Sequence, residues 1–145
     1  MKREEITVGY KCNASCRFCF YGCSPKDSLK SLEDIKRDIL SCKFYGIEHI
    51  ELSGGEPMLH EGIESVVGFC NQLGFKTICM ITNGILLKDI DTMRSLQNKG
   101  LNQIVFSLHG ADEKTHNYLT RAHAYGDLMK AIENAKILKI PFRIN

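Results

Sequence analysis

The chain has 145 residues, 43% of them hydrophobic and 25% charged, with a formal net charge of +2. That composition fills a globular core and excludes a disordered chain, and length alone predicts one domain. Nineteen Lys and Arg against 17 Asp and Glu leave no surplus for a strongly electrostatic nucleic-acid binder, and no apolar run approaches a membrane span. The start, Met1-Lys2-Arg3-Glu4-Glu5, is not followed by the apolar stretch of a secretory signal, so a cytoplasmic location is expected by default.

Taken in chain order, the elements alternate. An apolar stretch, Ile6 to Tyr10, predicts a first strand running into Cys12. A helix follows over about 31–45, capped by Ser31, with Leu32, Ile35, Ile39 and Leu40 on one face and Gly46 at its end. A short strand over 48–53 leads into Gly54-Gly55-Glu56-Pro57. A second helix over about 61–73 buries Ile63, Val66, Val67 and Cys70 and stops at Gly74. The third strand, 76–82, ends in Asn83-Gly84, a turn dipeptide. A third helix over about 89–99 stops at Gly100, and a fourth strand over 102–109 is the most apolar. Residues 110–126 are polar and leave room for one short helix. A further helix over about 127–138 and a strand over 141–145 complete the pattern. The order predicts an α/β fold, a parallel sheet with right-handed helical crossovers and a ligand site at the carboxyl ends of the strands.

Seven cysteines make about 5% of the chain, too few for a disulfide scaffold and odd in number, which favours reduced thiols and metal binding. Cys12, Cys16, Cys19 and Cys23 crowd one stretch, while Cys42, Cys70 and Cys79 are expected as core thiols. Cys12-x3-Cys16-x2-Cys19 suits an iron–sulfur cluster better than zinc, because structural zinc usually pairs two ligands with two distant ones. Three cysteines leave one iron open for chemistry; a fourth ligand, Cys23, would close the cluster and leave a non-catalytic electron-transfer or binding module. A structural zinc protein is the remaining alternative.

The cysteine triad at the end of a first strand, with Gly54-Gly55-Glu56-Pro57 after the second, resembles the radical S-adenosylmethionine (radical SAM) superfamily. Thr82-Asn83-Gly84 and Phe106-Ser107-Leu108-His109-Gly110 share the likeness, whose general look is of the peptide-modifying and cofactor-biosynthesis branch. The resemblance implies a partial (β/α) barrel of about (βα)4β, with Cys12, Cys16 and Cys19 holding a [4Fe–4S] cluster. S-adenosylmethionine would chelate the open iron and, on reduction, give a 5′-deoxyadenosyl radical that abstracts hydrogen from an unidentified peptide or small molecule. An electron donor such as a flavodoxin or ferredoxin is implied as well.

By the same resemblance, Gly54, Gly55 and Glu56 meet the methionine amine, which backbone carbonyls and a carboxylate can accept. Phe18 lies against the adenine. Ser107, a hydroxyl in an apolar strand that needs a partner, and Asn145 serve the carboxylate or ribose. Thr82 and Asn83 form a turn or face the ligand, Arg121 is expected as a solvated loop arginine, and His109 and His123 have no assigned role. Residues 1–145 are expected to be a radical SAM core domain that stops about one βα unit short, with an exposed last strand prone to self-association.

Overall fold

The computed structural model describes residues 2–22 and 28–145, so Cys23 lies outside the described residues. The elements are β1 (Arg3–Thr7), α1 (Leu32–Phe44), β2 (His49–Ser53), α2 (Ile63–Gln72), β3 (Thr77–Thr82), α3 (Ile90–Lys99), β4 (Gln103–Phe106), α4 (Glu113–Thr120), α5 (Tyr125–Ile137) and β5 (Phe142–Ile144). Two 3-10 turns, Pro57–Leu59 and Ile85–Lys88, follow β2 and β3. The strands form one sheet in the order β1-β2-β3-β4-β5, every neighbouring pair parallel. This is an open α/β sheet of the partial-barrel kind.

Local signals set the helix ends. Ser31 caps α1 by accepting from the Asp34 N–H, and Asp89 caps α3 by accepting from the N–H groups of Asp91 and Thr92. Gly100 closes α3 in the left-handed conformation, where a side chain would be strained. One face of the sheet carries Ile50, Leu52, Ile78, Met80, Ile104 and Phe106, all buried. The helices cover this face with Ile35 and Ile39 from α1, Val66 and Val67 from α2, Met93 and Leu96 from α3, and Leu128 and Ala131 from α5. This layer is the hydrophobic core.

The other face is polar. His49 Nδ1 meets Thr77 Oγ1 at 2.8 Å, and the Ser53 hydroxyl donates to Glu5. Glu51 Oε1 accepts from Arg3 of β1 and from Arg143 of β5, each at 2.6 Å. Cys79 lies on this face, where burial pushes its thiol up to about 11.

Several boundaries differ from the sequence expectation. β1 runs from Arg3 to Thr7 rather than from Ile6 to Tyr10, because Arg3 and Glu5 find partners in Glu51 and Ser53 on the polar face, and its pairing with β2 runs from Arg3–His49 to Thr7–Ser53. The polar segment 110–126 holds a full helix, α4, capped by Asp112, which accepts from the Thr115 N–H. Among the described residues no helix is long and apolar enough to cross a membrane.

Candidate active site

The carboxyl end of the sheet is built from four loops held together by backbone. After Val8 the chain leaves β1, and its carbonyls become acceptors: Gly55 donates to Gly9 O at 2.9 Å and Glu56 to Lys11 O at 2.8 Å. The cysteine loop and the Gly54-Gly55 loop therefore run against each other. Side chains have no room in this contact. A Cβ on Gly54 would sit 2.2 Å from Gly9 O, and one on Gly55 would sit 2.3 Å from Lys11 O. Sequence reasoning tied these glycines to a ligand's approach; the structure shows that the chain's own backbone already requires them.

Glu56 is 2% exposed. Its Oε1 accepts from the Thr82 hydroxyl at 2.7 Å and the Met58 N–H at 3.1 Å, and its Oε2 from the Asn83 N–H at 2.8 Å. Burial raises the Glu56 carboxyl above its ordinary value, and the three donors pull against that rise. The carboxylate was expected to receive an ammonium group. In the structure it serves the loops, fastening the end of β2 to the end of β3, and it does not line the cavity. Asn83 carries the fastening onward: its Nδ2 donates to Asn13 Oδ1 at 2.7 Å, inside the cysteine loop.

The far side of the cysteine loop rests on α4. Ser15 donates to Thr120 O at 3.1 Å and Arg17 to Leu119 O at 2.8 Å, so the last carbonyls of a helix receive the loop's amides. Arg17 Nε donates to Tyr118 O at 3.0 Å, and its guanidinium lies 4.1 Å from the centre of the Tyr118 ring. The helix that composition left nearly unmarked is thus the platform for the candidate ligands.

These loops enclose a cavity of about 310 Å³. Cys12, Cys16 and Cys19 line it, as do Phe18, Gly54, Gly55, Thr82, Asn83 and Ser107. Cys12 and Cys16 are half-buried and Cys19 is exposed. Cys12 Sγ accepts from the Ala14 N–H at 3.4 Å, and burial raises its thiol above the ordinary value. A coordinating metal removes that proton outright. Among the described residues no three His, Cys, Asp or Glu side chains converge on a single-ion position. A polynuclear cluster asks for one thiolate at each of several irons, and three thiols spread around one cavity fit that need.

Phe18 is 50% exposed, with its ring centre 4.5 Å from that of His109 in an edge arrangement. Ser107 is half-buried rather than enclosed, because β4 ends at Phe106 and the chain is already leaving the sheet. Asn145 is exposed at the end of β5 and does not line the cavity. Arg121 is an exposed C-cap in the left-handed conformation, and His123 is exposed. Cys42, Cys70 and Cys79 are buried. Sequence reasoning gave His109 no role and passed over His116; both line the cavity.

A family model described as the Radical SAM superfamily matches residues 6–145. The chain is 30% identical over 152 residues to the GTP 3',8-cyclase of Aquifex aeolicus, an alignment covering 100% of this chain and 47% of that protein. It is 33% identical over 143 residues to the probable GTP 3',8-cyclase of Saccharolobus solfataricus, covering 97% and 46%. The chain thus spans about half the length of these curated relatives. Streptococcus suis SuiB, in a structure bound to S-adenosylmethionine, superposes with a TM-score of 0.79 at 25% identity, covering 99% of this chain and 31% of that one.

Proposed function

Since the chain belongs to the radical SAM superfamily, we propose that it performs radical chemistry in the cavity at the carboxyl end of its sheet. Cys12, Cys16 and Cys19 hold a [4Fe–4S] cluster there, beside bound S-adenosylmethionine. The observation that carries this reading is the convergence of the three thiols and the Gly54-Gly55 loop on one cavity. When bound, these cofactors supply one-electron cleavage of a carbon–sulfur bond and a radical able to abstract hydrogen.

The chain's own residues bind, orient and shield. Carbonyls of Gly54 and Gly55 accept from the methionine ammonium, while Glu56 holds that loop in place through its bonds to Thr82 and Asn83. Phe18 gives the nucleoside an apolar wall, and Ser107 offers a hydroxyl at the cavity edge. By name the relatives act on GTP, which makes a purine nucleotide the first substrate to test.

Anaerobically reconstituted protein should show an electron paramagnetic resonance signal that changes when S-adenosylmethionine is added. Under reduction it should form 5′-deoxyadenosine. Colourless protein containing zinc would overturn the reading, as would a cluster indifferent to S-adenosylmethionine and lost in Cys23→Ala.

Arg17 tests the platform. Arg17→Ala removes the Tyr118 contact and one hydrogen bond, worth about 1 kcal/mol at this exposed site. Iron should still load, but its release to a chelator should quicken severalfold, because the loop loses an anchor. An unchanged release rate would assign the anchoring to the backbone bonds alone.

A further inference from the structure

His116 is 1% exposed, in the middle of α4, yet it lines the cavity. Its Nδ1 accepts from the backbone N–H of His109 at 3.2 Å. A nitrogen that accepts carries no proton, so the neutral ring bears its hydrogen on Nε2. Nε2 has no hydrogen-bond partner among the described residues, whereas every fully enclosed side-chain nitrogen or oxygen among them has one. Nε2 is therefore the atom through which His116 meets the cavity.

Its surroundings narrow what it can meet. The His109 ring stacks on His116, parallel to within 7° with centres 6.3 Å apart, and Phe18 stands edge-on against His109. Elsewhere in the same cavity Ile81, Ile85 and Ala124 add apolar surface. A neutral N–H donor beside an aromatic wall suits a flat ring with an unprotonated nitrogen. It suits a charged group poorly, because apolar walls cannot replace the water such a group would lose.

We propose that the His116 Nε2–H donates to a ring nitrogen of a purine held against the Phe18–His109 wall. This rests on the radical SAM reading of the cavity. The purine has two possible sources: the adenine of the cofactor, or the base of a nucleotide substrate.

Calorimetric titration of the reconstituted protein with S-adenosylhomocysteine and, separately, with GTP tells them apart. Two variants separate contact from scaffolding. His116→Asn places an oxygen near Nδ1, keeping the acceptor for His109 while losing the donor. His116→Gln places an N–H near Nε2. With iron content equal to wild type, His116→Asn should weaken one of the two ligands about tenfold, and His116→Gln should weaken it much less. Loss confined to S-adenosylhomocysteine assigns the contact to the cofactor; loss confined to GTP assigns it to the substrate. Wild-type affinity for both ligands in His116→Asn overturns the proposal, as does an equal loss in both variants.

The wild type gives a second measure that needs no variant to fold. Among deaza counterparts of the ligand that binds, each with one ring nitrogen replaced by C–H, one should lose about tenfold. Equal affinity across the set overturns the contact. Wild type that binds neither ligand overturns the radical SAM reading of the cavity and this contact with it.

Discussion

Alanine at Cys12, Cys16 or Cys19 should each reduce bound iron from about four atoms per chain to background, with loss of S-adenosylmethionine cleavage. Among the described residues the remaining cysteines are buried away from the cavity, and burial pushes the Cys70 thiol up to about 12, where it is an inert core group. Cys70→Ala is the matched control. It should keep its iron and instead lose about 1–2 kcal/mol of stability through the small void it leaves. Iron analysis paired with thermal unfolding reads both axes, and iron retained in any of the triad variants would remove that cysteine from the ligand set.

The second large effect is on the fold. Gly54→Ala and Gly55→Ala should each cost about 3–5 kcal/mol, or prevent folding, because the added carbon lands on carbonyl oxygens that cannot swing aside. Gly54 also has φ +138°, outside the range of ordinary side chains. For a domain of this size that loss lowers the unfolding midpoint by roughly 10 °C or more. Gly126, in the first turn of α5, has nothing within 4 Å of a built Cβ, so Gly126→Ala should be neutral or stabilise by about 0.5–1 kcal/mol. Thermal melts of the three variants check the contrast. Midpoints for Gly54→Ala and Gly55→Ala close to that of wild type would mean that the loop layer yields.

Much of this architecture is legible in the amino-acid sequence. Asp89 and Gly100 marked both ends of α3, Ser31 marked the start of α1, and strands alternated with helices, the first three of which stopped at a glycine. The cysteine spacing pointed to the cavity because it followed a strand. What stayed hidden was α4. Its buried residues are His116 and Thr120, so its inward face carries no apolar periodicity, and its eight residues are too few to show a stripe. The one signal available was Asp112 three residues before Thr115, a capping pair now seen to form. Hidden for another reason was the pairing of Arg17 with Tyr118, 101 residues apart, since no local rule connects them. The bonds that Thr82 and Asn83 give Glu56 were hidden too, because they come from the end of β3, a strand whose position only the folded sheet reveals.

The Glu51 carboxylate joins β1 to β5, the two outermost strands, although β5 stands three places away from β2. Three strand spacings amount to roughly 14 Å on a flat sheet, which an arginine and a glutamate standing upright cannot span. The sheet must therefore be bent like an arch, and this ion triad works as its tie-rod. It lies below the cavity and fixes how far apart the two abutments stand. The span of the mouth above, where the thiols and histidines face each other, is thus set partly by two guanidinium groups that touch nothing in it.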